Sequence, residues 1–257
     1  MISLFPRAIR FESDPTAPLN QNCIFMSITA LAIDTSTEAC SIGLLVGDQA
    51  LVEYTEEPRK HTEMVLPSID RLLTQAGISK SELDFISFAR GPGSFTGLRI
   101  AASVVQALAF ALDKPVVSVS TLQIIAQRCF REHKQASVHS AIDARMGEVY
   151  WGSYQLSEAG VMMPVSAENV LPPESIAEVY DLAKFDHNFA GAGSGWIYHD
   201  IFAKQCAVAA SYPEIFPHAQ DLLFCAVHFW NQGEQMAAKD VLPVYLRDDV
   251  AKKKGQA

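Results

Sequence analysis

The sequence predicts an α/β protein with mixed sheets, built as two unequal halves of which the second is reduced. Three observations carry that prediction. Three strand-like runs come in direct succession and give way to alternating helical and strand-like segments. A pair of apolar runs around an Asp-containing turn occurs twice, at Asp34 and at Asp143, which an internal duplication explains most economically. Beyond the second copy, Pro164, Pro172, Pro173, Pro213 and Pro217 leave room for few regular elements.

In chain order, residues 1–25 carry Pro6, Pro15 and Pro18 without helical or strand period, so they read as a disordered extension. Arg7, Arg10 and Asp14 interrupt any apolar stretch that a secretory signal would need. From Met26 onward the first half runs to residue 131. Apolar runs at 29–33 and 41–46 flank a turn at 34–38, and Gly47-Asp48 reads as a hairpin turn into a third strand at 49–54. Met64, Val65, Ile69, Leu72, Leu73 and Ala76 recur at helical spacing, and Gly77 is a natural stop. A buried strand at 85–89, a tight turn at 91–96 and a helix over 98–112 follow. Residues 115–120 read as a strand, and Thr121 opens a helix reaching about residue 131. The second half, 132–257, restarts the plan: a strand at 137–142, a turn at 143–147 and a returning strand at 148–154, with a late helix expected to pack back on the first half.

Composition narrows the function classes. Of 257 residues, 49% are apolar, enough to fill a core. The longest apolar runs, such as 104–112, fall short of the roughly 20 residues of a membrane span, so a soluble, cytoplasmic protein is expected. Twenty basic against 29 acidic residues give a formal charge of -9, which argues against a chain that binds nucleic acid alone through phosphates. Basic clusters are short, chiefly 128–134 and 252–254. Five scattered cysteines lack the spacing of a zinc or redox motif and read as reduced thiols.

Three stretches can carry chemistry. The first is Asp34-Thr-Ser-Thr37, an acidic strand end followed by hydroxyl residues, where actin-like ATPases hold metal and phosphate. Such enzymes place glycine in that turn; here none appears before Gly43, and side-chain hydrogen bonds closing a tight turn explain the same residues. The second is Gly91-Pro-Gly-Ser-Phe-Thr-Gly-Leu-Arg99, between a strand and a helix. It can form an anion-binding nest or a structural turn, with Ser94 or Thr96 as helix cap. It matches neither the Walker A loop nor the dinucleotide fingerprint, and Phe95 in an exposed turn suggests a contact surface. The third holds Asp143 and Arg145, two apart, which face one cleft if the strand continues that far and otherwise close a hairpin. His61 lacks a second histidine three or four residues on, and Gly193-Ser194-Gly195 lacks the nucleophile-elbow spacing, so no complete catalytic constellation emerges. The helix over 98–112 is studded with small residues and apolar nearly all round, so it is buried on more than one side, within the chain or against a partner.

Six motifs in order then resemble the TsaB family, also called YeaZ: Ala32-Ile-Asp-Thr-Ser-Thr37, His61-Thr-Glu-Met-Val-Leu-Pro67, the glycine-rich stretch 91–99, Val119-Ser-Thr-Leu122, Asp143-Ala-Arg145 with Glu148-Val-Tyr150, and Pro243-Val-Tyr-Leu-Arg247. They span about residues 28–247. The resemblance implies an actin-like (ASKHA, ribonuclease H-like) two-lobed fold. It implies partnership with the catalytic TsaD subunit, which transfers a threonylcarbamoyl group to the adenosine beside the anticodon of tRNAs reading ANN codons, and with the TsaE ATPase. It implies no catalysis and no cofactor of the chain's own. Pairing with TsaD, or with a second copy in isolation, is expected through 62–76 and 95–112, with Thr62, Met64, Val65, Ile69, Leu72, Phe95, Leu98, Ala102, Val105 and Gln106 at the interface. Contact with tRNA is expected only through the complex. Asp34, Thr35, Gly93, Ser94, Arg99, Asp143 and Arg145 are the candidate nucleotide or anion contacts, Gly93 and Arg99 for a nucleotide at the subunit interface. The catalytic sister's His-x-x-x-His pair has only His61 here, which favours an accessory subunit over an actin-like ATPase or phosphotransferase, and both over a peptidase.

Overall fold

Strands β2 (Thr29–Asp34), β3 (Cys40–Val46) and β4 (Gln49–Thr55) form where the apolar runs are β-branched or leucine-rich and punctuated by turn residues. β2 and β5 (Phe85–Ala89) are buried nearly throughout, as expected of central strands covered on both faces. Leu31 and Ile33 point to one core and Ala30 and Ala32 to another, the two-residue period splitting one strand between two layers. The computed structural model describes residues 7–10, 28–57, 60–181, 189–206 and 208–247.

The first sheet runs β1-β4-β3-β2-β5-β6, with β6 at Val116–Val119. The β4-β3-β2 part is antiparallel and β2-β5-β6 parallel. β1 is Arg7–Arg10, paired antiparallel with β4, Arg7 opposite Val52. It lies in the segment read as disordered, whose remaining residues fall outside the described ones. The reason is the open edge of β4: its unpaired N–H and C=O groups accept a strand whatever its side-chain pattern.

One face of this sheet is covered by α1 (His61–Ala76) and α2 (Phe95–Leu112). On α1, Val65, Ile69, Leu72 and Leu73 are buried along one stripe, and Gly77 stops the helix in the left-handed region at φ 71°. α2 is capped by Ser94, whose Oγ accepts from the Gly97 N–H, and ends at Asp113 with φ 52°. By length and composition α2 is the described helix that passes for a membrane span; Ala101, Val105 and Ala109 nonetheless pack it into the sheet's core.

The second sheet runs β10-β8-β7-β11-β12, with β9 also on β8. β7 (Ser137–Arg145) and β8 (Glu148–Leu156) form an antiparallel hairpin, and β11 (Ala190–Ala192) and β12 (Ser211–Tyr212) add in parallel. β9 (Met162–Pro164) and β10 (Asn169–Leu171) complete it. α3 (Thr121–His133) packs on one face through Leu122, Ile125 and Cys129. The other face carries Trp151, Trp196 and Phe202, beside the single-turn helices α4 (Ile176–Val179) and α5 (His199–Phe202). Both sheets thus share one plan, a hairpin extended by parallel strands, in a mixed α/β fold whose second half joins a longer hairpin to short parallel strands and single-turn helices.

α6 (Ala219–Asn231) belongs to the second half by sequence and packs on the first sheet through Leu222, Leu223 and Ala226. Its start is fixed by the Ala219 N–H, which donates to Ser41 Oγ at 2.8 Å. Gly43 admits it: a Cβ there would stand 2.9 Å from that of Ala219.

Candidate functional site

The Asp34 turn is buried outright. Asp34 is 1% exposed and Thr35 and Ser36 not at all. Asp34 Oδ1 accepts from the Ser36 N–H at 2.8 Å, closing an Asx turn. Asp34 Oδ2 and Ser36 Oγ have no hydrogen-bond partner among the described residues. Burial pushes the Asp34 carboxyl up to about 6, against the lowering effect of the neighbouring Ser36.

The glycine-rich loop lies directly on that turn. The Ser94 N–H donates to the Ser36 carbonyl at 2.7 Å, and Thr35 Oγ1 donates to the Gly97 carbonyl at 2.7 Å. A Cβ on Gly93 would stand 2.2 Å from the Ser36 oxygen, and one on Gly97 1.9 Å from the Thr35 oxygen. These glycines permit a close approach of two backbones. Three of the donors a nest would offer an anion are spent within the chain: Ser94 N–H on Ser36, Gly97 N–H on Ser94 Oγ at 3.3 Å, Leu98 N–H on the Ser94 carbonyl at 2.8 Å. The four residues Asp34, Thr35, Gly93 and Ser94 come together, but as a closed packing unit.

Arg99 sits one turn into α2. Its guanidinium lies 3.7 Å over the Phe95 ring, and its Nε donates to Tyr245 Oη at 3.1 Å. The Tyr245 ring packs against Phe95 at a tilt of 40°, ring centres 5.5 Å apart. The neighbouring Val244 N–H donates to the Arg90 carbonyl at 2.7 Å, and a Cβ on Gly91, whose φ is 108°, would stand 2.7 Å from the Val244 oxygen. Three residues on, Arg247 donates to the Ala144 carbonyl at 3.2 Å and pairs with Glu148. The segment 243–247 is therefore a strap from the glycine-rich loop to the β7–β8 hairpin. Its sequence motif was visible; its role of joining two lobes was not, because nothing local marks contacts a hundred or more residues distant.

Asp143 and Arg145 both belong to β7, which continues to Arg145 through an irregularity, so the turn expected over 143–147 shrinks to Met146-Gly147. Their contact is local: Asp143 Oδ1 accepts from the Arg145 backbone N–H at 2.9 Å. Positive φ at Arg145, Met146 and Gly147 makes this a tight hairpin.

The expected interface residues divide by burial. Val65, Ile69, Leu72, Leu98, Ala102 and Val105 are spent on the chain's own core. Thr62, Phe95 and Gln106 are exposed and Met64 half-buried. Sequence reading picked the apolar stripe of each helix, which faces the sheet. The outward face of α2 instead presents Arg99, Ser103, Gln106, Ala107 and Phe110, the last 82% exposed, with Leu66 outward on α1. The basic cluster 128–134 is likewise partly internal: Arg131 makes a bidentate pair with buried Asp221 at 2.8 Å, and Arg128 bonds Glu132, Tyr54 and the Phe216 carbonyl. His61 Nε2 lies 3.2 Å from the Glu38 carbonyl. Among the described residues, no group of three or more His, Cys, Asp or Glu is placed to hold a metal ion.

Residues 55–254 match the family model of TsaD, tRNA N6-adenosine threonylcarbamoyltransferase. The chain is 38% identical over 225 residues to the tRNA threonylcarbamoyladenosine biosynthesis protein TsaB of Escherichia coli (strain K12), a match covering 87% of this chain and 96% of that one. It is 35% identical over 236 residues to the TsaB of Haemophilus influenzae, covering 89% and 97%. Among solved structures, YeaZ from Pseudomonas aeruginosa superposes with a TM-score of 0.80 at 48% identity, over 85% of this chain and all of that one. Sequence and fold agree over nearly the same span as the six ordered motifs, and the chain belongs to the TsaB (YeaZ) family of tRNA threonylcarbamoyladenosine biosynthesis proteins.

Proposed function

We propose that the chain is a non-catalytic accessory subunit that binds and activates a TsaD-type threonylcarbamoyltransferase, working in the cytoplasm on tRNAs reading ANN codons. The observation that carries this reading is the closed joint between the Asp34 turn and the glycine-rich loop. Carbonyl oxygens of Thr35 and Ser36 press on Gly97 and Gly93, and the N–H groups of Ser94, Gly97 and Leu98 are taken up within the chain. An actin-like ATPase needs donors open to phosphate at that place.

The outward face of α2 supports the binding half of the proposal. Phe95 and Phe110 are exposed on a helix otherwise rich in small residues, a surface suited to close helix packing against a partner. The same face would pair two copies of the chain in isolation, so homodimer and heterodimer compete. Thr62, Met64, Leu66, Phe95, Gln106 and Phe110 form the contact set, and tRNA and the TsaE ATPase meet the chain through the complex. No cofactor of its own is required; a nucleotide at the subunit interface would meet Arg99.

The test is reconstitution with the activated threonylcarbamoyl adenylate, unmodified tRNA, TsaD and TsaE, each protein omitted in turn. Modification that requires this chain, with no ATP hydrolysis by the chain alone, is the expected result. Equal modification without the chain would overturn it. ATP hydrolysis by the isolated chain, abolished by Asp34→Ala, would establish the ATPase reading instead.

A further inference from the structure

We propose that the cleft between the lobes binds a small α-amino acid as its zwitterion, with the carboxylate on Arg90 and the ammonium toward Glu234. The cleft measures 410 Å³ and is lined by Arg90, Ser118, Ser120, Met163, Phe229 and Glu234, among others. That is near the small end of ligand cavities, about 300–1,000 Å³, and suits a small metabolite better than a nucleotide.

Position is the first argument. Arg90 directly follows β5 and Ser120 directly follows β6, at the carboxyl ends of adjacent parallel strands, where open α/β sheets take their ligands. The second lobe closes the opposite side with Met163 and Pro164.

Charge is the second. The Arg90 backbone is pinned on both sides: its N–H donates to the Val119 carbonyl at 2.9 Å and its carbonyl accepts from Val244. The residue is half-buried, and its guanidinium, close enough to influence the Tyr154 hydroxyl, has no hydrogen bond or ion pair among the described residues. An arginine is charged at any working pH, so one that lines a cleft and makes no ion pair among the described residues has donors left for an anion. Glu234 lines the same cleft, and its carboxylate has no hydrogen bond or ion pair among the described residues either. A site for a plain anion would not set a carboxylate in the same wall; one cation and one anion together match a ligand carrying both.

The remaining lining divides the ligand's other needs. Ser120 is held in place by Glu168, whose Oε1 also accepts from Tyr154 Oη at 2.5 Å. Ser118 stands beside it with its hydroxyl uncommitted among the described residues. Met163, Pro164 and Phe229 form an apolar wall for a side chain. None of these residues belongs to the proposed partner face, so the inference stands or falls apart from the accessory role.

The full chain would be screened by thermal shift against the twenty standard L-α-amino acids at about 10 mM, and any ligand found measured by calorimetry. At least one amino acid is expected to bind. Its amide, lacking the carboxylate, and its des-amino acid, lacking the ammonium, should each bind at least about tenfold more weakly, the loss of one charged contact. Glu234→Gln, at an exposed position that tolerates change, should weaken the amino acid about tenfold and leave the des-amino acid unchanged. Arg90→Gln should abolish both. No binding by any of the twenty, or a des-amino acid that binds as well as its parent, would overturn the proposal.

Discussion

The two Asp hairpins of this molecule share a plan and differ in fate. β2–β3 and β7–β8 each open their half, and each is flanked by a parallel strand that leads into a glycine-containing loop: Gly91–Gly97 after β5, Gly193–Gly195 after β11. Both loops press on the hairpin beside them. A Cβ on Gly193 would stand 2.3 Å from the Ala141 oxygen, and Ser194 Oγ accepts from the Asp143 N–H at 3.2 Å. The first loop reaches past the strand end and seals the Asp34 turn, then continues into an 18-residue helix. The second stops at the strand end and continues into a five-residue 3₁₀ turn. Met146 at the second hairpin's tip is consequently 86% exposed. What covers a turn, rather than the residues in it, decides whether it is core or surface.

Glycine substitutions should break this comparison most sharply. Gly97→Ala puts a methyl 1.9 Å from the Thr35 oxygen, inside a joint with no room to relax. It is expected to cost about 3 kcal/mol or more, since even ordinary overpacking costs about 1–3 kcal/mol. Gly147→Ala meets nothing within 4 Å and strains only a φ of 75°, so about 1–2 kcal/mol is expected. Urea denaturation of the two variants measures the difference; equal losses would mean that the first joint is no tighter than the second.

These two glycines also show what the sequence could and could not tell. The β2–β3–β4 run, the stop at Gly77 and the restart near residue 137 were legible, because periodicity and turn chemistry are local. That Gly93 and Gly97 serve backbone contact was not, since the same Gly-x-x-x-Gly spacing suits an anion nest, and only the chain opposite decides. The helix stops at Asp113 and Lys134, both left-handed without glycine, carried no signal either. Of the ten residues expected at the interface, six lie in the chain's own core: apolar periodicity marks the face a helix buries, and the face left exposed has to be found by subtraction.

A smaller effect concerns the pH dependence of the sealed turn. The folded-state value of Asp34 is raised to about 6 from an ordinary 3.8, mainly by burial. A raised carboxyl pKa means the folded state holds the proton more tightly, so stability falls as pH rises from about 4 to about 6 and stays lowered above that. The penalty is on the order of 2–3 kcal/mol. Asp34→Asn keeps an oxygen for the Ser36 N–H and removes the titration, so it should flatten that segment of the stability–pH curve. Asp143→Asn keeps an oxygen for the Arg145 N–H and should cost no more than about 0.5–1.5 kcal/mol, the worth of one hydrogen bond. Denaturant midpoints from pH 4 to pH 8 check both; an unchanged slope in Asp34→Asn would remove the buried charge from the account.

The smallest effect concerns what ties the second hairpin down. With its turn uncovered, the β7–β8 tip is held from outside by the strap, through Arg247 to the Ala144 carbonyl and to Glu148. Both side chains are partly exposed, so the ion pair is worth about 0.2–1 kcal/mol and global stability should barely move in Arg247→Ala. Local opening should move more. Amide exchange around residues 144–148 is expected to quicken about two- to fivefold, the range that such a loss of local free energy allows. The Asp34 turn, sealed by its own loop, should exchange as before. If both turns quickened together, the strap would be holding the lobes as one unit and the two hairpins would not be independent.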